Sequence, residues 1–209
     1  SYLPGKVTRL EVVAAGETTP VAPRAGDIPA LQIAAPGADG LLVAVLEAAP
    51  ATVTYTEWDK FLSFAAHKDF PQAEADHLAN GWPQDRFKER YTRHAKTLIA
   101  VGDGRGADAP LGLETEFTAL TNPYDPDFDG QMKVTLTYEG SPRVDAQVEI
   151  FDRAPDGEVT VTLQRTDDMG EAVIPVTPGH DYLLDAVVLR PAPEADKVTD
   201  DPNQPVRET

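Results

Sequence analysis

The chain has 209 residues and a mass of 22.5 kDa, enough to bury roughly 70% of its unfolded surface without a covalent staple. Cysteine is absent, which excludes disulfides, thiolate metal sites and cysteine nucleophiles. Lys and Arg number 18 against 35 Asp and Glu, a net charge of −17, which argues against a general nucleic-acid or anionic-membrane binder because phosphates are repelled.

Strands open the chain. Thr8, Leu10, Val12 and Ala14 alternate with Arg9 and Glu11, the period of two of a half-buried strand. Ala30 to Ala34, Leu41 to Glu47 and Thr52 to Thr56 are further strand candidates. The period then changes. Trp58, Phe61, Leu62 and Ala65 fall at i, i+3, i+4 and i+7, which predicts an amphipathic helix, with Thr56 and Asp59 as a capping box. A second helix is predicted over Gln72 to Ala79, stopped by Asn80-Gly81. Residues 85–92 are expected as a third short helix. Leu98 to Val101 reads as a strand, and residues 102–108 as a flexible connector.

The C-terminal half alternates more cleanly. Leu113, Thr115, Phe117 and Ala119 start the series. Met132, Val134, Leu136 and Tyr138 follow, then Ala146, Val148 and Ile150, then Val159, Val161 and Leu163. Ala172, Ile174 and Val176 give a shorter strand, and Tyr182, Leu184, Ala186 and Val188 the last. Turn signals separate them at Glu139-Gly140-Ser141-Pro142, Pro155-Asp156-Gly157, Asp167 to Gly170 and Pro178-Gly179. Short strands joined by tight turns predict an antiparallel, Ig-like β-sandwich. The Pro- and Asp-rich tail from Pro191 to Thr209 reads as a loop or loosely held end.

Charge divides unevenly. Residues 1–112 carry 11 basic and 14 acidic side chains, a net of −3, and residues 113–209 carry 7 and 21, a net of −14. That step places a domain boundary near residue 112. The expected fold is mainly β: a β-rich domain over 1–112 with a helical insertion over about 57–92, then a sandwich over 113–209. No run of 18 apolar residues exists, so no membrane-spanning segment is expected. Ser1-Tyr2-Leu3-Pro4 has neither the basic start nor the long apolar run of a signal peptide, as in a mature or trimmed form.

Few residues suggest chemistry. His67, His77 and His94 could join a carboxylate in a metal site, though the spacing matches no short ligand motif. His180 follows a Pro-Gly turn and is expected at a strand start. Asp125, Asp127 and Asp129 precede Gly130 and resemble the first half of a calcium loop, but Leu136 stands where the bidentate Glu belongs; an acidic hairpin loop is the plainer reading. Gly102 to Gly106 has glycines in a G-x-G-x-G pattern without a following helix, so phosphate binding is rejected. Arg86, Lys88, Arg90, Arg93 and Lys96 are read as a solvated helix face. Trp58 is expected in a core, and Trp82 on a loop open to a binding role. No nucleophile elbow, H-E-x-x-H or acid–base pair is present, so no catalytic residue is assigned and an enzyme is not expected.

Two segments carry a family resemblance. One holds Tyr55-Thr-Glu-Trp-Asp-Lys-Phe61 and runs through Phe87 to Asp103. The other holds Pro110 to Glu116, Leu120 to Tyr124, Gly140-Ser-Pro, Thr166 to Gly170 and Pro178 to Tyr182. Together they resemble an uncharacterised bacterial periplasmic family, commonly described as the periplasmic component of an ABC-type cobalt or nickel transport system. The Thr166 to Tyr182 region is also similar to transthyretin-like and carboxypeptidase-regulatory-like sandwiches. The resemblance implies export to the periplasm and non-catalytic binding, accessory to uptake of nickel or cobalt; the bound cofactor expected is a divalent metal ion, one of nickel, cobalt, zinc or calcium. It implies a membrane transporter or another periplasmic protein as partner. The alternative expected is an extracytoplasmic protein- or glycan-interaction module with no metal role. The family also implies a His-Glu-aromatic-Trp segment before Ser1 and a Trp-containing strand after Thr209, so no ligand is transferred from it.

Overall fold

The computed structural model describes residues 1–34, 37, 39–193 and 204–209. Strand accounts for 43% of the residues and helix for 10%, so the chain is mainly β, as its alternation requires. In chain order the strands are β1 (Val7–Ala14), β2 (Glu17–Pro20), β3 (Gly40–Ala48) and β4 (Ala51–Tyr55). Helices α1 (Trp58–His67) and α2 (Ala73–Ala79) follow. Then come β5 (Phe87–Tyr91), β6 (His94–Val101), β7 (Thr115–Ala119), β8 (Gln131–Tyr138), β9 (Ser141–Pro142) and β10 (Gln147–Arg153). The series closes with β11 (Val159–Arg165), β12 (Glu171–Pro175), β13 (Asp181–Asp185), β14 (Arg190–Pro191) and β15 (Pro205–Glu208).

The chain forms two compact units. The larger takes residues 1–49 and 93–185 and holds three sheets, ordered β2-β1-β3-β6, β11-β10-β13 and β12-β8-β7, with β9 added to β8. Every pairing within them is antiparallel. Val134 and Leu136 on β8, Val148 and Ile150 on β10, and Ala172 and Ile174 on β12 are buried, as period two predicts for one inward face per strand. A separate cluster packs Leu41, Val43 and Val45 of β3 against Leu113. Gly170 turns the chain between β11 and β12 at φ +73°, and a Cβ there would stand 2.9 Å from the Leu136 carbonyl oxygen. Only glycine fits both the dihedral and the space.

The stretch expected as a flexible connector is pinned. Asn122 donates from Nδ2 to the Gly104 and Gly106 carbonyls at 2.8 and 3.0 Å. Asp108 and Glu116 hold the next residues through a nearly dry ion network: Lys96 Nζ lies 2.8 Å from Asp108 Oδ1 and 2.9 Å from Glu116 Oε1. Glu116 also accepts the N–H groups of Leu111, Gly112 and Leu113. Residue 112, where the charge step falls, therefore lies inside the larger unit.

The smaller unit takes residues 50–92 and 186–209. Its sheet runs β14-β15-β5-β4, with β15 parallel to β5. Phe61, Ala65, Ala73 and Phe87 form its buried core, with Tyr55, Trp58, Leu62, Phe64 and Phe70 packed around them. Both expected helices are present, and Trp58 belongs to the core as its spacing predicts. The capping box does not form: the N-cap is Glu57, without a side-chain cap bond.

Three other expectations are corrected. Residues 85–92 do not form a helix. Phe87 and Glu89 are buried with Lys88 between them, a strand period that pairing on both edges selects. Residues 30–34 form no strand. The tail is not loose: β14 and β15 add to the sheet and Arg207 is buried at 2% exposure. Residues 194–203 of that tail lie outside the described residues. The basic cluster is consequently not a helix face, and Lys96 is buried in the ion network of the larger unit.

Candidate functional site

The metal candidates are not assembled. Among the described residues, no group of three or more His, Asp or Glu side chains is placed to hold a metal ion. His67 ends α1 on an exposed position, and His94 begins β6. Asp125, Asp127 and Asp129 are exposed in the loop between β7 and β8, where Asp129 Oδ1 accepts the Gln131 N–H at 2.9 Å. That is the acidic hairpin loop of the plainer reading.

His77 is a core residue. It is fully buried, packed among the rings of Trp58, Phe61, Trp82 and Phe87. Its Nε2 meets the Pro83 carbonyl at 2.9 Å, while Nδ1 has no hydrogen-bond partner. Trp82 is not an open stacking platform either, since the Arg207 guanidinium sits 4.9 Å from its ring centroid. Burial lowers the His77 pKa below its ordinary 6.5; Pro83 opposes this and nearby Arg207 adds to it. The unfolded chain then takes a proton at His77 that the native chain refuses, and stability falls as pH drops below 6.5. Glu89 acts with the opposite sign. Burial raises its carboxyl above 4.5, with partial offset from Thr209, Tyr55 and Arg207, so its contribution is lost as pH rises through that window.

Subtracting the His77→Gln stability curve from the wild-type curve leaves the His77 part. We expect the wild type to lose ground to the variant from pH 6.5 downward, by up to about 1.4 kcal/mol per pH unit. A difference that stays constant between pH 7 and 5 in urea titrations contradicts this assignment.

The surface that stands out is the β11-β10-β13 sheet of the larger unit. On one face Val161, Phe151 and Leu183 lie side by side across the three strands. Val159, Val161 and Leu163 are 51%, 47% and 57% exposed, and Leu183 58%. Arg153 and Asp181 bound this face with an exposed ion pair at 2.6 Å. β11 is an edge strand in which no residue is buried.

The opposite face ends in a polar corner. Asp152 keeps the register of buried Val148 and Ile150, yet it is a carboxylate, and it pairs with Tyr182 across the ladder. Asp152 Oδ1 lies 2.7 Å from His180 Nδ1, and Oδ2 accepts the Tyr182 hydroxyl at 3.0 Å. Tyr182 Oη in turn accepts the Thr177 N–H at 2.8 Å. An ionised Asp152 requires the proton on Nδ1, which leaves Nε2 with its lone pair as the imidazole's one open valence. Among the described residues no hydroxyl nucleophile bonds to that ring. His180 does sit at a strand start as expected, but its partner was missed. The signal was available: Asp152 is the single charge in an otherwise apolar inward register.

Every residue of this sheet falls within the matched region of a family model, which covers residues 2–190. The chain belongs to the DUF4198 family, a domain of unknown function. No curated protein and no solved structure matched it. The DUF4198 match takes in every strand from β1 to β13 and stops before β15. Among the described residues no helix is long and apolar enough to cross a membrane.

Proposed function

We propose that the chain is a non-catalytic, periplasmic binding module that takes a protein partner on the β11-β10-β13 sheet. The observation that carries this reading is β11 itself. Three large apolar side chains on one strand stand about half exposed beside an open sheet edge. Contiguous apolar exposure of this kind marks interaction surfaces. A free edge supports recognition by strand addition, in which backbone bonds give affinity and alternate side chains give specificity. The similarity to transthyretin-like sandwiches supports binding over catalysis. The test is capture from an envelope extract with wild-type and Val161→Lys/Leu163→Lys baits. A partner recovered by the wild type and lost with the variant supports the reading; identical capture overturns it.

A second reading, accessory to nickel or cobalt uptake, is favoured by the Asp152–His180 pair. A carboxylate on Nδ1 fixes the tautomer that presents the Nε2 lone pair as a metal donor. The ion would be cargo, held by one imidazole with the rest of its shell from water or the transporter. Calorimetry with nickel and cobalt should show weak binding that His180→Ala abolishes. Absence of heat with either metal removes this reading.

A further inference from the structure

We infer that β11 pairs antiparallel with β11 of a second copy of the chain, closing the open edge into a six-stranded sheet across a two-fold axis. The inference rests on reading β11 as an interaction edge and names the partner that edge takes.

The backbone fixes which groups are on offer. The Ala154 N–H donates to the Glu158 carbonyl, and the Thr166 N–H to the Ala146 carbonyl. Both pairs continue the β10–β11 register, in which Gln147 faces Arg165 and Arg153 faces Val159. Hydrogen-bonded and non-bonded pairs alternate in an antiparallel ladder. Even-numbered residues of β11 therefore spend their N–H and C=O groups on β10. Val159, Val161 and Leu163 turn theirs outward, and among the described residues no strand meets them.

The side chains invite a partner rather than repel one. Edge strands are ordinarily guarded by Lys, Pro or a bulge. Val159 to Gln164 contains no charge and no Pro, and the β10–β11 register has no shift. The flanking Arg165 guanidinium is drawn onto Asp145. A strand that fits such an edge is itself neutral and alternates apolar with small polar residues, which is the pattern of β11.

One register overlaps all seven residues. It sets Thr162 opposite its own copy, Val161 opposite Leu163, and Val159 opposite Arg165. Every outward N–H and C=O then meets another, because the facing residues are all odd-numbered. Val159, Val161 and Leu163 of both copies form one apolar strip on a single face, while the threonines share the other. A two-fold contact of this kind uses both edges at once and is closed to further addition.

Sedimentation velocity on the full chain is the first measurement, with dimer expected and its share rising with salt as the like net charges are screened. Val161→Lys, at an exposed position, should shift the chain to monomer while leaving the far-UV circular dichroism of a folded chain unchanged. The cysteine-free background gives a sharper probe. Non-bonded pairs stand about 4.5 Å apart at Cα, within disulfide range. Thr162→Cys should therefore oxidise to a covalent dimer. Thr160→Cys, whose two copies would be about 13 Å apart along the strands, should not. A wild type that stays monomeric across its concentration range overturns the inference, as does a dimer that survives Val161→Lys or crosslinks equally through Thr160→Cys. If that monomer still captures a partner in a β11-dependent way, only self-pairing is lost; if it does not, the reading of β11 as an interaction edge falls with it.

Discussion

Lys96→Met should lower the unfolding free energy of the larger unit by about 3–5 kcal/mol, the cost of removing one member of a buried charge group. The Lys96, Asp108 and Glu116 side chains are 7%, 2% and 3% exposed. Methionine keeps most of the stem's volume and removes the ammonium. Two carboxylates are then left beside each other out of water. Glu116 retains three backbone donors and Asp108 Oδ2 keeps the Ala119 N–H at 2.9 Å, but no cation remains between them. The companion is Lys96→Met/Glu116→Gln, which removes one of the opposed charges and should recover part of the loss. Both tryptophans lie in the smaller unit, so the larger unit is best followed by far-UV circular dichroism in urea. A loss below about 1 kcal/mol, the scale of an exposed pair, would show that water reaches this network.

Arg207→Met should destabilise the smaller unit by a similar amount, about 3–5 kcal/mol. Arg207 is 2% exposed. Its Nη2 donates to the Ala73 carbonyl at 2.6 Å, at the start of α2. Its guanidinium also lies 5.5 Å from the Phe61 ring centroid, as well as over Trp82. Its charge lowers the pKa of buried Glu89. The substitution removes a hydrogen bond, two cation–π contacts and the compensating charge together. Trp58 and Trp82 report the result directly: the fluorescence midpoint in urea should fall, and a unit that fails to close shows solvent-exposed emission before denaturant is added. Arg207→Lys keeps the charge without the planar fork and should fall between wild type and Arg207→Met. Equal midpoints for all three would remove the charge from the account.

Alternation carried most of the fold into the sequence. Strands β7, β8, β10 and β12 were legible because each buries residues at alternate positions, and that face shows as a period of two. Helix α1 was legible through Trp58, Phe61, Leu62 and Ala65. Failures came where a residue's environment is made by distant chain. Phe87 to Tyr91 looked helical from its charges, but Glu89 and Arg90 are placed by Tyr55, Arg207, Glu208 and Thr209, more than 30 residues away in either direction. The tail looked loose because Pro and Asp dominate its composition, yet Val206 and Arg207 pack onto the core of the smaller unit. Of the candidate surface, β11 was legible as a strand but not as an edge, since edge status depends on sheet order. The Asp152–His180 pair was half visible: a carboxylate in an apolar register signals a partner without saying which.

The parallel pairing of β15 with β5 has a bearing on the order of assembly. The ribosome delivers Phe87 to Tyr91 more than 100 residues before the strand that will lie against it. All residues of the larger unit are delivered in between or earlier. Contacts of such sequence separation slow folding, because loop closure must precede any gain from the pairing. The larger unit can therefore be complete while the smaller one still waits for its last strand. During that interval Phe87 and Glu89 line an open sheet edge. A chain halted or clipped before Pro205 would be held at this stage, with one unit finished and the other exposed to proteases and to chaperones that recognise unpaired strands.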